Sequence, residues 1–207
     1  MLRTSLIMAT SAAILALAVP AMAQDQNVLT LSSEQTTTFV RNFNPFGQTS
    51  ARATTLDFIY EPLVVFNRLK GNEPNFRLAE SFELADDLKS ITFTLRDGLK
   101  WSDGEPLTAD DVVFTYDYIK QFPALDFISV SAQLASVEKV DDRTVRFNLN
   151  EANSLIANTI VGMPIVPQHI WADVADPVTF ANEDPVGSGP MTEITRFTPQ
   201  VYEQCRN

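Results

Sequence analysis

The chain has 207 residues, of which 26 are acidic and 15 are basic, for a formal net charge of −11, and 45% are hydrophobic. This composition is typical of a globular protein and excludes collagen-like, coiled-coil and intrinsically disordered chains. The acidic excess argues against binding to nucleic acid or to an anionic membrane surface, and the single cysteine, Cys205, excludes an internal disulfide framework.

The N-terminus has the three parts of a secretory signal peptide. Arg3 supplies a positive charge, an uncharged apolar stretch runs from Leu6 to Val19, and Ala21-Met22-Ala23 is typical of a cleavage site. The stretch is shorter than the roughly 20 residues that a membrane-spanning helix requires, which disfavours a permanent anchor. We therefore predict a signal peptide over 1–23, cleavage between Ala23 and Gln24, and a soluble, exported mature protein.

The elements predicted next along the chain are short. Val28–Leu31 is rich in β-formers and predicts a first strand. Asn-Pro and a following glycine predict a turn within Arg41–Gly47, a segment that contains two phenylalanines. Leu56–Tyr60 favours a short helix, which Pro62 should end.

The middle of the chain carries the clearest patterns. Ile91–Leu95 alternates between apolar and polar residues, which predicts a half-buried strand. Thr108 followed by Asp111 is typical of a capping box, so a helix should begin there and end at Pro123. Val137–Val140 and Thr144–Leu149 flank a short polar turn and predict a hairpin.

The last part of the chain predicts a short helix over Ser154–Ile160, an extended Pro164–Pro167 segment, and a strand that begins near Thr195. Between them lies Asp184–Pro190, where prolines and glycines combine a rigid and a flexible stretch. Strands and helices alternate irregularly, which indicates a mixed α+β or α/β fold.

No residue pattern indicates catalysis, a cofactor or a metal. The phosphate-loop, nucleophile-elbow and zinc-helix motifs are missing from the sequence. The acidic pairs fit solvated turns or helix starts better than metal or acid–base sites; they are Asp86-Asp87, Asp110-Asp111 and Asp141-Asp142. His169 favours a structural role at an element end over that of a base or ligand, and Cys205 favours a plain thiol over a reactive one. Trp101 and Trp171 are open to ligand stacking, but core packing is favoured for Trp101.

Several longer stretches carry a family resemblance, in order along nearly all of the chain after the signal. They are Ile59–Leu63, Leu78–Glu83, Ile91–Thr115, Val137–Leu149, Ile165–Trp171 and Asp184–Pro190. Together they closely resemble the family 5 extracellular solute-binding proteins of bacterial ABC importers, the class of oligopeptide- and dipeptide-binding proteins.

The resemblance implies a periplasmic binding protein of type II, in which two lobes close over a solute and dock on membrane permease subunits. It places a first segment of lobe I at 24–62, a small inserted α+β domain at 63–180 and a return segment of lobe I at 181–207. Family members are longer than this chain, so we expect an incomplete fold and a truncated form. The implied solute is a peptide or an oligosaccharide, and the residues of Gly187–Met191 and Tyr202–Asn207 resemble those of oligosaccharide-binding members.

The resemblance gives two groups of candidate site residues. Asn42, Phe43, Asn44 and Phe46 form an aromatic turn that either stacks on a ligand or fills the core of the lobe. Gly187, Ser188, Gly189 and Pro190 would form the crossing back into lobe I. Two alternatives stay open: an exported interaction module that holds no solute, and an exported hydrolase that uses carboxylates such as Asp110 and Asp111.

Overall fold

The computed structural model describes residues 38–47, 55–56 and 58–206. The described residues contain eight strands, three α-helices and three short 3₁₀ turns. The strands are β1 Val64–Asn67, β2 Glu73–Phe76, β3 Ala79–Leu84, β4 Ser90–Leu95, β5 Leu134–Asp141, β6 Thr144–Leu149, β7 Met191–Phe197 and β8 Tyr202–Arg206. The helices are α1 Ala109–Gln121, α2 Ile156–Ile160 and α3 Gln168–Trp171, and the 3₁₀ turns are Arg68–Lys70, Pro123–Leu125 and Ser131–Gln133. This mixed arrangement confirms the predicted fold class.

The largest sheet is antiparallel, with strand order β3-β4-β6-β5. The predicted strand and hairpin are confirmed as β4 and as β5–β6. Ile91 lies opposite Phe147 and Phe93 opposite Val145, so the apolar residues of the two central strands share one face and are buried. Helix α1 packs on this sheet, and the ring of Tyr116 lies 4.8 Å from that of Phe147.

Helix α1 begins at the predicted capping box. The hydroxyl of Thr108 accepts a hydrogen bond from the Asp110 amide, and the Asp111 carboxylate accepts one from the Thr108 amide at 2.9 Å. The second carboxylate oxygen of Asp111 accepts from the Gln168 amide at 3.0 Å. One acidic side chain therefore caps α1 and also holds the start of α3.

Leu56 and Phe58–Tyr60 differ from the helix predicted there. Leu56 and Tyr60 form an isolated bridge, and Phe58 and Ile59 lie in a turn. The carbonyl of Ile59 accepts from the Gly189 amide and that of Phe58 from the Met191 amide, at 2.7 and 3.0 Å. The helix prediction was wrong over Leu56 and Phe58–Tyr60, because the carbonyls of Phe58 and Ile59 accept hydrogen bonds from a distant segment and not from the amides of the next helical turn.

Two smaller hairpins complete the described fold. Strands β1 and β2 pair in one, and β7 and β8 pair in the other. The predicted signal peptide, its cleavage site at Ala23 and Gln24, and the predicted strand Val28–Leu31 lie outside the described residues. Among the residues that are described, no helix is both long and apolar enough to cross a bilayer.

Candidate ligand-binding site

The aromatic residues of the Asn42–Phe46 turn point into the protein interior. Phe43 is 1% exposed and Phe46 is 4% exposed. The ring of Phe43 contacts that of Tyr202 edge-on at 6.2 Å, and Phe46 contacts Trp171 edge-on at 5.3 Å. The structure thus places both rings in the packing that was the alternative to ligand stacking, and ligand contact by these residues stays a prediction.

The two asparagines of the same turn hold backbone groups. Asn42 accepts a hydrogen bond from the Asn44 amide at 3.0 Å. The side chain of Asn44, which is 1% exposed, accepts from the Phe46 amide and donates to the carbonyls of Pro177 and Phe180. A buried amide with these partners anchors the turn to the segment that precedes residue 181.

Asn182 is an organising residue that the sequence reasoning missed. It is buried and has a positive φ of 48°, a conformation that asparagine tolerates better than most residues. Its side chain donates to the Phe43 carbonyl at 3.0 Å and to the Tyr60 hydroxyl at 2.8 Å. Burial raises the pKa of the Tyr60 hydroxyl, and the hydrogen bond from Asn182 acts in the opposite sense. An isolated asparagine in a loop gives no sequence signal for such a role.

The Gly187–Pro190 segment crosses residues 58–61 at very short range. A Cβ atom on Gly187 would lie 2.1 Å from the Ile59 carbonyl oxygen, and one on Gly189 would lie 2.3 Å from that of Phe58. The hydroxyl of Ser188 accepts from the Glu61 amide at 3.0 Å. Only residues without a side chain allow this approach, so the glycines here serve close backbone packing. Pro190 is exposed and directly precedes β7.

The crossing also binds the loop that follows β4. The Ser102 amide donates to the Gly187 carbonyl at 2.9 Å, and the Gly187 amide donates to the Ser102 hydroxyl at 3.2 Å. The neighbouring Trp101 is 2% exposed, which confirms the core-packing interpretation of that residue. Three segments far apart in sequence therefore meet at Gly187.

A cleft of about 240 Å³ opens beside this crossing, between β1 and the loop after α2. We call it the β1 cleft. Most of its lining side chains are apolar, although polar atoms contribute nearly as much of its surface as apolar atoms do; these residues are Leu56, Tyr60, Pro62, Val64, Val65, Phe66, Val161, Gly162 and Pro164. Arg68 and Asn158 supply the polar side chains of the lining. A concave apolar surface with a few polar groups is the usual form of a small-molecule site.

Arg68 is the charged group of the β1 cleft. It lies in the 3₁₀ turn between β1 and β2, is exposed, and forms no salt bridge within the described part of the chain. Arg41, Arg77, Arg143 and Arg196 each lie within 3.6 Å of a carboxylate, whereas Arg96, Arg146 and Arg206, like Arg68, form no salt bridge with the described residues. The guanidinium of Arg68 is therefore available to an anionic group at the cleft.

The other singled-out residues do not converge on the cleft. His169 pairs with Asp103 at 2.8 Å on the surface, and Cys205 is exposed and unpaired. Burial raises the pKa of the Asp103 carboxyl, but the hydrogen bonds with His169 and the Glu105 amide outweigh burial and hold that pKa below its ordinary value of 3.8. Within the described ranges, no group of histidine, cysteine and acidic residues has the geometry of a metal site.

Comparison with known proteins gives the chain a family. The model for "Bacterial extracellular solute-binding proteins, family 5 Middle" matches residues 73–202. A protein of Sinorhizobium fredii, y4wM, is 34% identical over 176 residues, which cover 82% of this chain and 26% of that protein.

Solved structures agree with this match. A periplasmic oligopeptide-binding protein of an oligopeptide ABC transporter from Thermotoga maritima is 34% identical, with a TM-score of 0.75 over 82% of this chain and 32% of its own. Its structure with bound mannohexaose is 35% identical, with a TM-score of 0.74 over 81% and 31%. The oligopeptide-binding protein AppA from Bacillus subtilis, in complex with a nonapeptide, is 27% identical, with a TM-score of 0.65 over 80% and 34%.

These matches confirm the resemblance and the periplasmic binding protein fold. The chain spans about a quarter of the length of the curated relatives it matches and about a third of the solved structures. The matched family model covers more than half of the chain, and its match includes β2 to β7. The chain belongs to the bacterial extracellular solute-binding proteins of family 5.

Proposed function

We propose that this chain acts in solute uptake, as the substrate-binding component of an ABC-type importer that binds peptides or oligosaccharides and delivers them to membrane permease subunits. The observation that carries the proposal is the similarity to the Thermotoga maritima protein, at 34–35% identity and TM-scores of 0.74–0.75. Membership of this family supports a protein that binds its solute without converting it chemically and that is therefore not an enzyme.

The proposal includes the predicted organisation of the chain. Residues 24–62 and 181–207 would belong to lobe I, and 63–180 would form the inserted domain. The hydrogen bonds of Gly189 to Ile59 and of Asn182 to Phe43 support this assignment, because they join the two proposed lobe I segments directly. The signal peptide over 1–23 and a periplasmic location belong to the same proposal, as the family is extracellular.

Calorimetry tests the binding function. The full chain, expressed with its own N-terminus and purified from the periplasmic fraction, is titrated with mannohexaose and separately with a nonapeptide. We expect saturable heat with one of the two solutes, and intact mass should show removal of residues 1–23. Absence of saturable binding to both solutes, by a chain whose circular dichroism shows it folded, contradicts the function and favours the interaction module.

A further inference from the structure

We propose that Asp97 is a site of spontaneous covalent modification, at which the aspartate becomes isoaspartate through a cyclic imide formed with the Gly98 amide. The sequence holds two Asp-Gly pairs, Asp97-Gly98 and Asp103-Gly104, and both lie in exposed turns after β4. The structure leaves the reacting groups of the first pair free and holds those of the second. The inference is independent of the proposed transport function, because it depends only on these turns and on water.

The reaction joins a side chain to the backbone of the next residue. The amide nitrogen of Gly98 attacks the Cγ atom of the protonated Asp97 carboxyl, so that an N–Cγ bond forms and the Cγ–OH bond breaks. The amide proton and the hydroxyl leave as water. Water then opens the imide: breakage of the bond between the nitrogen and the main-chain carbonyl carbon gives isoaspartate, and breakage of the N–Cγ bond restores aspartate. The overall change is an isomerisation that needs no oxidant or reductant.

Both reacting groups of the first pair are free to meet. Asp97 is exposed, and its carboxyl forms no hydrogen bond or salt bridge with the described residues. The Gly98 amide likewise donates to no acceptor within the described ranges. Gly98 has no side chain to shield its nitrogen, and a Cβ atom placed there would meet nothing within 4 Å. Ring closure therefore requires neither group to leave a partner in the described fold.

The reacting groups of the second pair are held. One oxygen of the Asp103 carboxylate accepts from the Glu105 amide at 3.1 Å, and the other lies 2.8 Å from Nε2 of His169. The Gly104 amide donates to the Trp101 carbonyl at 3.0 Å. A Cβ atom at Gly104 would also meet nothing within 4 Å, so open space does not distinguish the two pairs. The hydrogen bonds do, because the second pair must break them before the ring can close.

The anchors of the first turn lie on either side of its reacting pair. The Arg96 amide donates to the Leu78 carbonyl at 2.9 Å, and the Leu99 carbonyl accepts from the Leu107 amide at 3.0 Å. The isoaspartate product adds one carbon to the main chain between these anchors. The open space around Gly98 receives the longer turn, so we expect the modified chain to stay folded.

The test is timed incubation of the full chain, folded in buffer and unfolded in urea, followed by digestion with a lysine-specific protease. The two pairs then fall in separate peptides, Ser90–Lys100 and Trp101–Lys120. Isoaspartate is labelled with protein isoaspartate methyltransferase and located by fragmentation mass spectrometry. In the folded chain we expect it to form about tenfold faster at Asp97 than at Asp103, which corresponds to about 1.4 kcal/mol in the activation barrier. In urea the two rates should be similar, because unfolding removes the hydrogen bonds of the second pair.

Two variants locate the effect. Asp97→Glu keeps the charge but lengthens the side chain, so the same imide cannot form and labelling of Ser90–Lys100 should disappear. His169→Gln removes one partner of Asp103 and should raise the rate at that residue while the rate at Asp97 stays unchanged. Equal rates at the two pairs in the folded chain overturn the inference. So does an unlabelled Asp97 in the folded chain, whether or not the chain in urea is labelled.

Discussion

Gly187→Ala tests the close crossing of the two segments that we assign to lobe I. The added Cβ would lie 2.1 Å from the Ile59 carbonyl oxygen and 2.7 Å from the Cγ2 atom of the same residue. Real Cβ atoms essentially never approach closer than 3.0 Å, so the two backbones must separate by at least 0.9 Å (3.0 − 2.1). Such a movement strains the short hydrogen bond from the Gly189 amide to the Ile59 carbonyl, which is 2.7 Å long.

The magnitude follows from two effects. Insertion of a carbon into a packed site costs about 1–3 kcal/mol. A buried backbone pair that loses its hydrogen bond costs about 1–3 kcal/mol more. We therefore expect Gly187→Ala to lower the free energy of unfolding by about 2–6 kcal/mol, a large part of the roughly 5–15 kcal/mol that a domain has.

The assay is equilibrium unfolding in urea, with Gly162→Ala as the matched control. Neither glycine has a positive φ, so backbone strain does not distinguish the two substitutions. The nearest atoms to a Cβ at Gly162 lie 3.4 Å away, and one of them is the end of the Ile128 side chain. We expect the control to change stability by less than about 1 kcal/mol. Equal destabilisation by the two substitutions would refute the reasoning.

Two further predictions concern the loops around the site. Asn182→Ala should destabilise the chain by about 3–5 kcal/mol, because it removes the hydrogen bonds to the buried Phe43 carbonyl and Tyr60 hydroxyl and places alanine at a φ of 48°. Asn182→Gly relieves only the backbone strain, so urea unfolding should place it between alanine and wild type; an alanine variant as stable as wild type contradicts this role. The pKa of Asp103 is lower in the folded state than its ordinary value of 3.8, so its carboxylate stabilises the fold at pH values above 3.8. This stabilisation is lost as the pH falls below 3.8 through the pKa of the folded state. The stability difference between wild type and Asp103→Asn should shrink across that window in acid titrations of the urea midpoint, and a constant difference would show that the pair with His169 contributes nothing.

The sequence predicted the elements whose signals are local. The alternation in Ile91–Leu95 and the capping box at Thr108 and Asp111 each lie within a few residues, and the structure confirms both. The hairpin around Asp141 and the short helix ending at Ile160 are confirmed with boundaries that differ by a few residues. Periodicity and capping act over one or two turns of chain, so the residues that produce them are readable in order.

The predictions that failed or stayed open depend on distant partners. Residues 56–60 have a helix-like composition, but the amides of Met191 and Gly189 donate hydrogen bonds to the carbonyls of Phe58 and Ile59. Phe43 and Phe46 are aromatic residues of the kind that can stack on a ligand. Both are buried instead against Tyr202 and Trp171, because packing across the fold brings these rings together. Composition alone does not distinguish a buried ring from a ligand-facing one.

By itself, the sequence determined the mixed α and β elements, the excess of negative charge and the family resemblance, because these depend on residue identity and short spacing. The tertiary structure alone decided that Gly187 meets Ile59 and that Asn182 joins Phe43 to Tyr60, because both contacts unite residues more than 100 positions apart. The same long-range packing creates the β1 cleft. Chain folding brings its lining side chains together beside Arg68, which forms no salt bridge with the described residues, and neither feature has a signature in the linear sequence.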